Sequence, residues 1–75
     1  MATMSISPEN LGEMVTAYVK WHKHSRAVRA AYSAWRLATS GEEPLRYAAY
    51  LEELGREERA CEGYAASVAR ACATV

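Results

Sequence analysis

His22, His24, Cys61, Glu58 and Arg29 are the side chains of this chain best suited to chemistry, and their spacing limits what they can do. The two histidines are two residues apart, which on a helix turns them about 200° from one another and keeps them off a common ion. Folding the chain back would bring Cys61 towards His22, which gives two ligands where a structural zinc needs four. Glu58 falls among apolar residues, where a carboxyl group could act as a buried general acid. His22, Ser25 and Arg29 lie on the facing stretch, so the plainer expectation is a polar layer of His22, Ser25, Arg29 and Glu58 that fixes register or partner choice. No catalytic residue, metal ligand or cofactor is assigned, and the chain is read as a non-enzyme.

The segment from Lys20 to Arg29 offers a second chemistry. Lys20, Lys23, Arg26 and Arg29 could neutralise phosphates while Trp21 stacks on a base. The second half of the chain offers those charges other partners, because folding back sets Glu53, Glu57, Glu58 and Glu62 alongside them. The chain is neutral overall, yet up to Gly41 it holds five bases against two acids, and beyond it four arginines against seven glutamates. Halves of +3 and −3 suit two helices lying side by side. Nucleic-acid binding by the basic segment therefore ranks second to protein binding.

These residues need elements to position them. Ser40-Gly-Glu-Glu-Pro44 is the one strong break between two long stretches of helical periodicity. It predicts an all-α antiparallel two-helix hairpin in one domain spanning residues 1–75, with helix 1 over about 8–39, a turn at about 40–43 and helix 2 over about 44–74. Ser7 is a suitable N-cap, Pro8 fits the first helical position, and Glu9 suits the positive end of the helix dipole. Gly41 is expected in the left-handed conformation that ends helices, and Pro44 in the first turn of the next. Met1–Ile6 reads as a frayed leader.

Both stretches follow a heptad. In the first, Leu11, Met14, Tyr18, Trp21, Ser25, Val28, Tyr32, Trp35 and Thr39 alternate at three and four. In the second the stripe is Tyr47, Leu51, Leu54, Glu58, Cys61, Ala65, Val68, Cys72 and Val75, with Tyr50 and Tyr64 on its edge. Reversal about Gly41 and Glu42 sets Trp35 opposite Ala48, Val28 opposite Gly55, Trp21 opposite Glu62 and Gly63, and Tyr18 opposite Ala65. Large residues then face small ones, and Gly55 and Gly63 would admit an aromatic ring.

One hairpin covers only one side of each helix, and this chain has apolar residues beyond a single seam. Soluble monomers seldom leave such patches open. The expected assembly is a homodimer closing into a four-helix bundle, with Tyr18, Trp21, Val28, Tyr32, Trp35, Tyr50, Tyr64 and Val68 at its interface. Its expected work is binding: besides itself it would engage an unidentified protein, as a small regulator, inhibitor or adaptor. Cys61 and Cys72 are too far apart on one helix, at about 16 Å, to bridge each other, which favours a reducing cytoplasm. Met1–Ser7 has no basic patch followed by an apolar run, so no secretory leader is expected, and no run is long enough to span a membrane.

In outline the hairpin is similar to plasmid-copy-control RNA-binding hairpin dimers and to the small secreted proteins of mycobacterial type VII systems. The latter carry Trp-x-Gly in the turn and Tyr-x-x-x-Asp/Glu near the end. Here the turn reads Ala38-Thr-Ser-Gly41, and Tyr47, Tyr50 and Tyr64 are followed at four by Leu51, Leu54 and Val68. No family is assigned.

Overall fold

The computed structural model describes residues 7–73. Met1–Ile6, read above as a leader, and residues 74–75, which include the last member of the second stripe, lie outside the described residues. Two helices, α1 (Pro8–Arg36) and α2 (Glu43–Ala73), pack against each other as an antiparallel hairpin. It measures 62 × 18 × 13 Å, with a radius of gyration of 17.3 Å. A compact chain of this length would have a radius of about 11 Å. A rod of two helices has little interior, and most of its side chains stay in contact with water.

The start of α1 follows from its first three residues. Ser7 is extended, its side chain accepts the Asn10 N–H at 3.2 Å, and its carbonyl accepts the Leu11 N–H at 2.9 Å. At the other end α1 stops at Arg36, three residues earlier than the periodicity predicted. The N–H of Leu37 reaches Ser33 O at 3.2 Å and that of Ala38 reaches Trp35 O at 3.1 Å, the tight closure of a final helical turn. Thr39 then organises the entry to α2. Its carbonyl accepts from the N–H groups of Glu42 at 3.0 Å and Glu43 at 2.9 Å, and its hydroxyl donates to Glu42 Oε1 at 2.9 Å. Thr39-Ser-Gly-Glu42 has the residue pattern of a capping box, a signal the sequence reading passed over. No described residue has a positive φ, so the expectation of a left-handed Gly41 is corrected. Reversal is spread over residues 37–42, and no single residue has to take a left-handed conformation.

Helix pairing keeps the expected register. Glu13 faces Arg70, Trp21 faces Tyr64, and Trp35 faces Tyr47 and Tyr50. The phase around each helix is different. On α2 the residues turned inward are Tyr50, Glu53, Glu57, Ala60, Tyr64, Ser67 and Ala71, all buried or half-buried and spaced strictly at three and four. Each sits one residue before the expected stripe, of which Leu51, Glu58, Ala65 and Cys72 are exposed. On α1, Met14, Trp21, Val28 and Trp35 are half-buried as expected, but their companions are Asn10, Ala17, His24 and Ala31, while Leu11, Tyr18 and Tyr32 are exposed.

Size explains the choice. Ala60, Ser67 and Ala71 are the only fully buried residues described, and with Ala17 and Ala31 they let the helices approach. Ser67 keeps its hydroxyl satisfied by donating to Tyr64 O at 2.7 Å. Aromatic rings fill the remaining layers, and here the expectation that large would face small is corrected. Near the turn Trp35 lies 4.8 Å from Tyr47 and stacks on Tyr50 at 5.6 Å, with Tyr32 against both Trp35 and Tyr50. In the distal half Trp21 stacks on Tyr64 at 5.5 Å, and Tyr18 meets both rings edge-on. All seven aromatic residues fall in these two clusters. The glycines do not make room for them: a Cβ on Gly55 would meet only the Arg59 guanidinium at 3.5 Å, and on Gly63 or Gly12 nothing within 4 Å. Each such glycine costs a helix about 1 kcal/mol relative to alanine, and packing within the hairpin does not explain Gly12 or Gly63.

Candidate functional site

Turning the seam by one residue displaces the expected polar layer. Glu58, Arg29 and His22 are exposed and Ser25 is half-buried, and no hydrogen bond or ion pair joins any two of them. His22 instead lies parallel to the Tyr18 ring at 6.1 Å. The polar contact of the seam is made one position earlier, where Trp21 Nε1 donates to Glu57 Oε1 at 2.8 Å. A half-buried carboxylate bonded to an indole holds the helices in register. Sequence periodicity pointed at the neighbouring glutamate.

The expected neutralisation of the basic segment is also absent. Glu52 and Glu53 pair with Arg56 on their own helix, Glu42 pairs with Arg46, and Glu57 is taken by Trp21. Among the described residues the one ion pair between helices, Glu13 with Arg70 at 3.8 Å, runs in the opposite sense, acid on α1 and base on α2. Lys20, Lys23, Arg26 and Arg29 are exposed and pair with no described carboxylate. At 100° per residue they step round α1 by about 60° each and spread over half its circumference, which makes no narrow stripe.

Two broad faces remain, one on either side of the seam. The first holds the residues that the phase turned outward. On α1 Leu11, Val15, Tyr18 and Val19 fall at helical spacings on one flank, with Leu11 51%, Val15 55% and Val19 59% exposed. On α2 Tyr47, Leu51, Leu54, Cys61, Ala65 and Cys72 continue that flank, all exposed or half-exposed. Eight of these ten residues belong to the stripes read from the sequence as core, and Val15 and Val19 are the two that do not.

The second face is a groove of about 720 Å³ between the helices. Ala17, Ala60, Gly63 and Ser67 floor it, with Gly12 and Thr16 at one side. Its margins carry Lys20 and His24 from α1, and Arg56, Arg59 and Arg70 from α2, against the single carboxylate of Glu13. Arg56 is held by Glu52 and Glu53 and Arg70 by Glu13, whereas Lys20 and Arg59 pair with no described carboxylate. No tryptophan or tyrosine lines this groove, and the His24 imidazole is its one ring. Sequence reasoning missed it because its residues, spaced at three and four on each helix, lie out of phase with the expected stripes.

Cys61 and Cys72 are both free thiols. Among the described residues no three His, Cys, Asp or Glu side chains converge, and no helix is long and apolar enough to cross a membrane. Comparison with known proteins finds no matching family model, no matching curated protein and no matching solved structure, which leaves the two faces as the basis for a functional reading.

Proposed function

We propose that this hairpin is a non-enzymatic protein-binding module that works as a homodimer, its two copies joined through the apolar face into a four-helix bundle. One observation carries the reading: two helices of 29 and 31 residues bury no large side chain between them, while leucine, valine and tyrosine line a flank left in water. Apolar area returns about 25 cal/mol for each Å² removed from water, and a second copy can cover a flank that the hairpin cannot. Two-fold pairing sets each flank against its own copy, which suits a surface that is apolar rather than singly charged. Tyr18, Tyr32 and Tyr50 sit at the margin of that contact. Trp21, Trp35, Tyr64, Val28 and Val68 support it from the seam. Leu37 and Leu45, 85% and 74% exposed beside the turn, stay outside the bundle and offer apolar contacts to a further partner. The two free thiols suit a reducing compartment such as the cytoplasm.

Light scattering at low micromolar concentration tests the assembly, with an expected mass of twice 8.3 kDa. The thermal midpoint should also rise with protein concentration, as it does when folding is linked to association. A mass of 8.3 kDa with a midpoint independent of concentration overturns the dimer.

A second reading, nucleic-acid binding by Lys20, Lys23, Arg26 and Arg29, gains from their lack of partners on α2. It loses in that Trp21 is held between Tyr64 and Glu57 and is not free to stack on a base. Affinity for duplex or single-stranded probes that survives physiological salt and falls on Lys23→Ala with Arg26→Ala would favour it over protein binding.

A further inference from the structure

We propose that the groove between Lys20 and Arg59 binds an acidic amphipathic helix of a partner protein, which would lie against the hairpin as a further helix. The inference rests on the protein-binding reading above and names the chemistry of the partner. Three observations converge. The groove runs from the level of His24 to that of Gly12, about 18 Å along α1, which matches three turns of a helix and exceeds the size of a free anion. Its floor is made of residues with almost no side chain, and Gly12 and Gly63 have open space where a Cβ would stand. Nothing inside the hairpin accounts for those two glycines, whereas a helix seated in the groove would need the room they leave, since interaxial distance is set by side-chain size at the contact. The margins are basic, with Lys20 and Arg59 lacking described carboxylate partners.

Charge selects among occupants. A second copy joined groove to groove would bring Lys20 and Arg59 of both copies together, so the basic face cannot pair with itself as the apolar face can. Nucleic acid would find cations but only the half-buried His24 imidazole as a ring, since every tryptophan and tyrosine belongs to the two clusters outside this groove. An amphipathic helix with small apolar residues along its contact face and glutamates on its edges satisfies both floor and margin.

The test is fluorescence anisotropy on the full chain, with its mass measured in the same buffer. Three labelled probes are compared: a synthetic helix of about five turns with alanine and leucine on one face and glutamates along its edges, the same helix with lysines for glutamates, and a short DNA duplex. The acidic helix should bind at least about tenfold more tightly than the lysine helix and than the duplex, with affinity falling as salt rises. Lys20→Glu with Arg59→Glu should remove roughly that tenfold. Gly63→Leu should abolish binding without lowering the thermal midpoint, because the added side chain occupies the groove, its Cβ meets nothing within 4 Å, and leucine favours helix over glycine. Equal binding of the two helices, tighter binding of the duplex, or wild-type affinity in Gly63→Leu overturns the proposal. If the protein is dimeric and the acidic helix fails to bind, the groove assignment falls and the self-association reading stands. Binding by a monomer supports the groove and removes the dimer.

Discussion

The apolar face and the basic groove are built from the same two helices, often from adjacent residues, and they differ in what each can pair with. Val19 points to one and Lys20 lines the other; on α2, Glu58 lies on one flank and Arg59 on the opposite one. A face of leucine, valine and tyrosine is complementary to itself, because apolar contact has no sign. A face edged by lysine and arginine repels its own copy and is complementary to an acidic one. One rotation of the seam therefore divides the surface into an apolar part and a basic part, to which the proposals above assign self-assembly and a partner protein.

Seam and outward band separate most widely at tryptophan. Trp35→Ala removes the ring against which Tyr47 and Tyr50 rest, and should cost about 3 kcal/mol in urea unfolding, the low end for tryptophan because the ring is only half-buried. Leu11→Ala, on the outward band, should leave the unfolding of dilute protein nearly unchanged and act on self-association instead. If the two lose equal stability in dilute solution, the division between seam and band is wrong.

Trp21→Phe sharpens the same contrast. It retains a ring on Tyr64 but leaves the Glu57 carboxylate without its donor, and should cost about 1.5–3 kcal/mol, as a hydrogen bond to a charged group does. Glu57→Ala combined with Trp21→Phe should cost less than the sum of the single changes, which a double-mutant cycle in urea would measure.

The hairpin and its register were legible in the sequence, and the phase of the seam was not. A breaker at Ser40–Pro44 and the Ser7-Pro-Glu9 cap mark the ends of elements whatever packs against them. The phase is ambiguous because small or apolar residues occupy adjacent positions all along α2: Tyr50 beside Leu51, Ala60 beside Cys61, Tyr64 beside Ala65, Ser67 beside Val68, Ala71 beside Cys72. Both sets follow a spacing of three and four. What decides between them is three-dimensional: the close approach that Ala60, Ser67 and Ala71 permit, and the reach of the Trp21 indole to Glu57 and not Glu58. The same error placed the polar layer on Glu58 and hid the basic groove.

Smaller effects bear on the groove side. Gly12→Ala and Gly63→Ala should each stabilise the hairpin by about 0.5–1 kcal/mol in thermal unfolding, since neither Cβ meets anything within 4 Å. A loss of stability at either position would show that the hairpin itself needs the glycine. Glu58→Gln marks the opposite limit. Exposed and without a described ion pair, Glu58 should change stability by no more than about 0.5 kcal/mol, and a larger loss would restore the polar layer.

The most direct test of the two-faced account is the mass in solution of three proteins at the same low micromolar concentration: wild type, Val15→Glu on the apolar face and Lys20→Glu on the basic one. The account predicts twice 8.3 kDa for wild type and for Lys20→Glu, and 8.3 kDa for Val15→Glu. A wild-type mass of 8.3 kDa, or a dimer broken by Lys20→Glu and left intact by Val15→Glu, would contradict it.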